Sequence, residues 1–206
     1  AVETLRSGVR MVGTLPIIGT GLPTHYEQRL SIEELKRSIK TRNKELLSYL
    51  KVDKHQSWLI EDMKKDVARG RMHKLKLVKK LDTSKNLIAR RFSREQGVKA
   101  DGTAKKRAVD DMTACGVNPA CTPREKLTLE GLDHLVQVAK RRSRAGVAAL
   151  KLWKADIEGA FKRVPTSEAD QPLLWVAVKD ELQQVWVAQH KTACFGATAS
   201  VHAWHR

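Results

Sequence analysis

Aromatic residues are scarce in this chain, at 5% of its 206 residues, and Tyr26 and Tyr49 are its only tyrosines. Surfaces that read single strands by base stacking need clustered exposed rings, so the thin supply disfavours that mode of recognition. The five tryptophans have mostly apolar neighbours and read as buried. Cysteine is sparse too. Cys115, Cys121 and Cys194 are odd in number, which argues against a disulfide-stapled secreted domain. Cys115 and Cys121 have no second pair and no nearby histidine, so they read as structural thiols in a reducing compartment rather than as zinc ligands. No stretch nears the ~20 apolar residues that span a bilayer. The longest apolar runs, 173–178 and 147–150, suit strands, and the first ten residues lack the apolar core of a secretory signal.

Acid is the other shortage. Against 39 Lys+Arg stand 23 Asp+Glu, a net charge of +16. A charge of that size on so short a chain repels itself unless a polyanion is near, a phosphate backbone first and an anionic membrane surface second. The hydrophobic share of 41% and charged share of 30% are those of folded proteins, not of disordered ones.

Three regions follow from the punctuation. Residues 1–30 hold Gly13, Gly19, Gly21, Pro16 and Pro23 and read as an extended arm. Residues 31–84 read as a basic helical region. Ser31 and Glu34 have capping-box spacing, and Ile32, Leu35, Ile39, Leu46, Leu47 and Leu50 form one apolar stripe. Lys36, Arg37, Lys40, Arg42 and Lys44 occupy much of the remaining surface, as a solvated face or a phosphate-facing one. A second helix is predicted over 56–69, with Trp58, Leu59, Met63 and Val67 inward and Gly70 as its stop. Residues 72–77 alternate apolar with basic, as a half-buried strand or a short basic helix would.

Residues 85–206 form the third region. Asp101-Gly102 signals a hairpin whose returning strand is 105–110. A helix is predicted over 126–144 with Leu127, Leu132, Leu135, Val136 and Ala139 inward, ended by Gly146. A buried strand over 147–155 then delivers Asp156 at its end, and 173–178 with 185–190 form a hairpin. His202 and His205 read as surface residues of a C-terminal helix.

Asp156, then Ala160-Phe161, then Pro165 resembles motif A of the reverse transcriptase palm. The run from Phe195-Gly196-Ala197 to His202-Ala203-Trp204 resembles motif B, and Lys105-Lys106-Arg107-Ala108-Val109-Asp110 with Asn118 is similar to the fingers of the same family. The likeness covers about 90–206 and is nearest to reverse transcriptase-like proteins of retroelements. It implies an α+β fold with an incomplete fingers/palm module behind the basic helical region. By the same resemblance Asp156 would hold catalytic Mg²⁺, with Ile157 lending a backbone carbonyl. Phe161 would sit under the sugar and disfavour a 2′-hydroxyl, and Lys106 or Arg107 would meet the triphosphate. Gly196 would allow close approach to the base pair, and Ser200 would brace the template.

Two departures shape the expected function. Extra residues lie between Asp110 and Asn118, and the family's Tyr-x-Asp-Asp turn, which follows motif B, is not among these 206 residues. Two-metal catalysis needs clustered carboxylates, and Asp156 alone cannot hold two cations. The leading expectation is a non-catalytic, RNA-binding structural protein of a large ribonucleoprotein such as an organellar ribosome, with the mitochondrial matrix as the favoured compartment. It would need no cofactor, Mg²⁺ entering only with polymerase activity. The alternatives are the front part of an RNA-directed DNA polymerase and a protein-assembly subunit without nucleic acid. Phosphates of RNA, or of an RNA/DNA duplex, would meet Lys36, Arg37, Lys40, Lys44, Lys74, Lys76, Lys79, Lys80, Arg90 and Arg91. Neighbouring protein subunits would cover an open sheet edge.

Overall fold

The computed structural model describes residues 6–17, 19, 21–98, 100–128, 131–147, 149 and 151–205. Part of the arm lies in the core. Val9, Met11, Val12 and Leu15 are all buried. Its backbone is stitched down by β1 (Gly13–Thr14), which pairs in parallel with Cys121–Thr122, and by β2 (Leu22–Pro23), antiparallel to Glu125–Lys126. Asp170 accepts hydrogen bonds from the Met11 N–H at 2.7 Å and from Arg10 Nε at 2.9 Å.

Helix α1 (Ile32–Tyr49) starts at the expected capping box. Ser31 Oγ accepts from the Glu34 N–H at 3.1 Å, and the Glu34 carboxylate accepts from the Ser31 N–H at 2.9 Å. Leu35, Ile39 and Leu46 are buried along its inner stripe, with Leu50 at its C-cap. Asn43 lies on the same stripe and pins α1 to the sheet. Its amide donates to the carbonyls of Thr83 and Asn86 and accepts from the Ile88 N–H at 2.9 Å. Helix α2 (Gln56–Ala68) buries Leu59 and Met63 and stops where Gly70 takes φ +70°.

The two helices pack on a five-stranded sheet. Its strands are β3 (Lys76–Leu77), β4 (Ile88–Val98), β5 (Ala104–Asp110), β8 (Trp175–Lys179) and β9 (Val185–Gln189), in the order β3-β9-β8-β4-β5. The predicted hairpins are both present: β4 with β5 around Asp101-Gly102, and β8 with β9. Trp175, Val176, Ala177 and Val178 are all buried, as befits a strand with neighbours on each side. Of the alternating segment 72–77 only β3 and a Met72–His190 bridge join the sheet.

Two predicted elements differ. The third helix, α3, runs Leu132–Arg144 and not from 126, because Lys126 belongs to β7 (Glu125–Lys126), the partner of β2, while β6 (Cys121–Thr122) pairs with β1. None of its residues is buried, and Leu132, Leu135 and Val136 face solvent. The strand predicted over 147–155 is not formed at its described residues; Ala148 and Leu150 lie outside them. The place beside β4 is taken by β8, paired in parallel at Ile88↔Trp175. Without a neighbour for its backbone groups the segment stays solvated, and Leu152 and Trp153 are 77% and 86% exposed. The sheet among the described residues is open, with β3 at one edge and β5 at the other. Trp153 and Trp204 also correct the expectation of mostly buried tryptophans, since of the five only Trp175 is fully buried. The class is α+β, and no helix among the described residues is long and apolar enough to cross a membrane.

Candidate nucleotide and nucleic-acid site

Helix α4 (Thr198–Trp204) begins just after Gly196, whose φ is +102°. A Cβ there would run into the Asp110 carbonyl, so only glycine lets this turn lie against the end of β5. The Asp110 N–H donates to the Phe195 carbonyl at 3.2 Å. Asn118 clasps the same turn from the other side. Its Nδ2 donates to the Gly196 carbonyl at 2.8 Å, and its Oδ1 accepts from the Thr198 N–H at 2.8 Å. That bond satisfies a helix donor that Ala197, the N-cap, has no side chain to meet.

Three separated segments meet at this turn. The rings of Phe161 and Phe195 are tilted with centroids 5.1 Å apart, and Trp204 meets Phe161 edge-on at 6.5 Å. The Arg107 guanidinium lies 5.2 Å from the Phe195 ring centroid. Side chains alternate along a strand, so Lys106 faces the other side of β5, with Ala108 and Asp110. The aromatic cluster therefore has Arg107 beside it, not Lys106.

A buried charged network holds these parts from behind. Lys162 Nζ, next to Phe161, donates to Asp66 at 2.6 Å. Arg91 donates to Asp62 at 2.8 Å and lies 3.8 Å from Asp66 and 3.7 Å from Asp110. His190 Nε2 is 2.9 Å from Asp110 Oδ2. Burial raises the Asp110 carboxyl, but the Arg91 guanidinium and then His190 outweigh it and hold it below its ordinary value. Burial likewise works against Arg91, which Asp110, Asp62 and Asp66 keep more firmly protonated than usual. The side chain of Arg91 is 1% exposed. Its predicted phosphate contact is thus corrected: three acids claim it inside the protein.

Asp110, His190 and Cys194 have donor atoms within 4.8 Å of one another and are all buried. Arg91 already neutralises the carboxylate, burial pushes the Cys194 thiol well up, and the His190–Asp110 contact ties the end of β5 to the residue that follows β9. Cys115 and Cys121 are buried free thiols, each pushed up to about 12 by burial.

The residues assigned to Mg²⁺ by resemblance lie on the surface. Asp156 is on exposed coil and Ile157 is half exposed. The neighbouring acid, Glu158, pairs with Arg69 at 3.0 Å. Among the described residues Asp156 belongs to no group of three donor side chains, so the residues present do not fit a pair of Mg²⁺ ions. Ser200 is buried within α4, its hydroxyl without a hydrogen-bond partner.

Of the surface cations, Lys36, Arg37, Lys40 and Lys44 project from the solvent side of α1, and Lys74, Lys79 and Lys80 flank β3. Lys76 is half-buried over the Trp175 ring at 4.6 Å, and Arg90 is half-buried over Phe92 at 4.7 Å. The network of Asp62, Asp66, Lys162 and His190 escaped the sequence reading. Its one visible signal was two acids four apart on the face of α2 that carries Leu59 and Met63. No family model matches this chain, and no curated protein matches it in sequence.

Proposed function

We propose that this chain binds an RNA/DNA duplex by its phosphates and presents a deoxynucleotide-sized aromatic surface at the duplex end. This is the work of the fingers and the front of the palm in a reverse transcriptase-like polymerase. One observation carries the reading. Arg107, Phe161 and the 195–204 segment, singled out in separate motifs, come together around one glycine turn. The Arg107 guanidinium supplies a donor for phosphate, and the tilted Phe161 ring supplies a wall that a 2′-hydroxyl would strike. The lysines of α1 and those flanking β3 supply the sequence-independent attraction that dominates nucleic-acid affinity. Nucleotide addition needs carboxylates beyond Asp156, so the function these residues support is binding.

A second reading is a non-catalytic component of a ribonucleoprotein, such as an organellar ribosome. The solvent-exposed position of Asp156, with no fitting acids among the described residues, favours it.

Fluorescence anisotropy with an RNA-template/DNA-primer duplex tests both. The polymerase-like reading expects binding that weakens steeply with salt and strengthens when the complementary deoxynucleotide triphosphate is added. Phe161→Ala should let the ribonucleotide act as well as the deoxynucleotide. Salt-sensitive binding indifferent to any nucleotide would support the ribonucleoprotein reading, and salt-insensitive association with proteins alone would overturn both.

A further inference from the structure

We propose that Asp110, His190, Cys194 and Cys115 form a structural zinc site that locks the segment before Gly196 against the end of β5. This site is independent of the nucleic-acid reading above and uses none of the roles that the resemblance implies.

In the sequence Cys115 has no histidine near it, and the fold supplies one. Asp110 ends β5, His190 follows β9, and Cys194 precedes Phe195. These three come from separate stretches of chain, are all buried, and have donor atoms within 4.8 Å of one another. Carboxylate, imidazole and thiolate are the donor types that zinc takes. His190 Nε2 and Asp110 Oδ2 are 2.9 Å apart. On a tetrahedral zinc with bonds of about 2.1 Å, two such donors sit roughly 3.4 Å apart. Opening the pair by about half an ångström therefore admits the ion. Asp110 Oδ1 is buried without a hydrogen-bond partner, so the carboxylate has an unused acceptor. Cys115 is the fourth ligand. Its thiol is buried and close enough for its charge to bear on Cys194.

The charges also balance. Arg91 lies 3.7 Å from Asp110, but Asp62 at 2.8 Å and Asp66 at 3.8 Å share its guanidinium. Zinc brings two positive charges and expels two thiol protons, so the net charge beside Arg91 does not change. Burial otherwise keeps both thiols protonated, and a bound cation supplies what a buried thiolate lacks. A closed set of four protein ligands makes the site structural, with no open position for a substrate. Its effect would fall on the glycine turn, because the residue after Cys194, Phe195, accepts the Asp110 N–H through its carbonyl.

The full chain is produced with zinc in the medium, passed over a chelating resin and analysed for metal by mass spectrometry. One zinc ion per chain is expected. Cobalt(II) in its place should give a near-ultraviolet thiolate charge-transfer band and the intense visible bands of tetrahedral coordination. Cys115→Ser and Cys194→Ser should each halve the charge-transfer band and lower zinc retention. Cys121→Ser, at a buried thiol outside the cluster, should keep both the zinc and the spectrum. The unsubstituted chain decides the matter even where a variant fails to fold. No retained zinc together with no cobalt charge-transfer band would overturn the site. So would equal loss of zinc from Cys121→Ser and Cys194→Ser.

Discussion

Asn118 and Gly196 are 78 residues apart in the chain and joined by a hydrogen bond of 2.8 Å. The other end of the same amide caps α4 through the Thr198 N–H. One side chain thus fixes both the glycine turn and the helix that follows. Asn118→Ala should cost about 1–2 kcal/mol, the ordinary worth of a helix cap, in urea unfolding. Asn118→Asp keeps the acceptor for Thr198 and loses the donor to Gly196, so it should fall between. An alanine variant as stable as the parent would show that the clasp is incidental.

Gly196→Ala should be worse than either. The added methyl meets the Asp110 carbonyl at a φ that L-residues rarely adopt, so β5 and the turn must separate. Loss of the Arg107–Phe195 stacking and weaker duplex binding are expected together. They are measured by unfolding and anisotropy on the same variant.

Buried and exposed cations should behave oppositely. Arg91→Leu strands the acids that surround it and should cost about 3–5 kcal/mol of stability. Lys40→Ala, on the solvent face of α1, should leave urea unfolding unchanged. It should instead lower duplex affinity and reduce the magnitude of the slope of log K against log salt by about 0.9, the share of one phosphate contact. The same slope change from Arg91→Leu without loss of stability would contradict its placement.

Much of this fold was legible in the residues. The Ser31/Glu34 box, the Leu35–Ile39–Leu46 stripe and the Asp101-Gly102 turn are local signals, and each produced the expected element. Residues 147–155 failed because apolar content does not choose a strand's neighbour. β8 pairs beside β4, and the predicted strand was left without a ladder. Helix α3 failed in a related way: its amphipathic pattern is present, but nothing in the described fold lies against its apolar face. At the site, spacing left Lys106 and Arg107 equivalent, and only the pleat of β5 separates them. Arg91 looked like its surface neighbours because the acids that bury it come from α2 and from the far end of β5.

Acid should loosen the molecule in a defined window. Hydrogen bonds from Lys54 and then His55 hold the Glu95 carboxyl down from 4.5 to about 2, and Asp110 is held below its ordinary 3.8. Both folded values lie under the unfolded ones, so the stabilisation is complete above pH 4.5 and fades as pH falls toward about 2. Thermal unfolding should show little change from these groups between pH 6 and 5 and a falling Tm below pH 4.5. Glu95→Gln should shrink the fall in that lower window with the fold intact, since the residue is exposed. An unchanged acid limb would contradict the link between the β4–β5 hairpin and the loop before α2.

Photo-cross-linking is the most direct test of the account. A bound RNA/DNA duplex carrying 4-thiouridine in its template strand is irradiated with the full chain, and the attached peptides are identified by mass spectrometry. The account expects attachment to peptides holding Arg107, the 195–204 segment and the solvent face of α1. Attachment confined to the exposed segment around Trp153, or none at those three places, would contradict it.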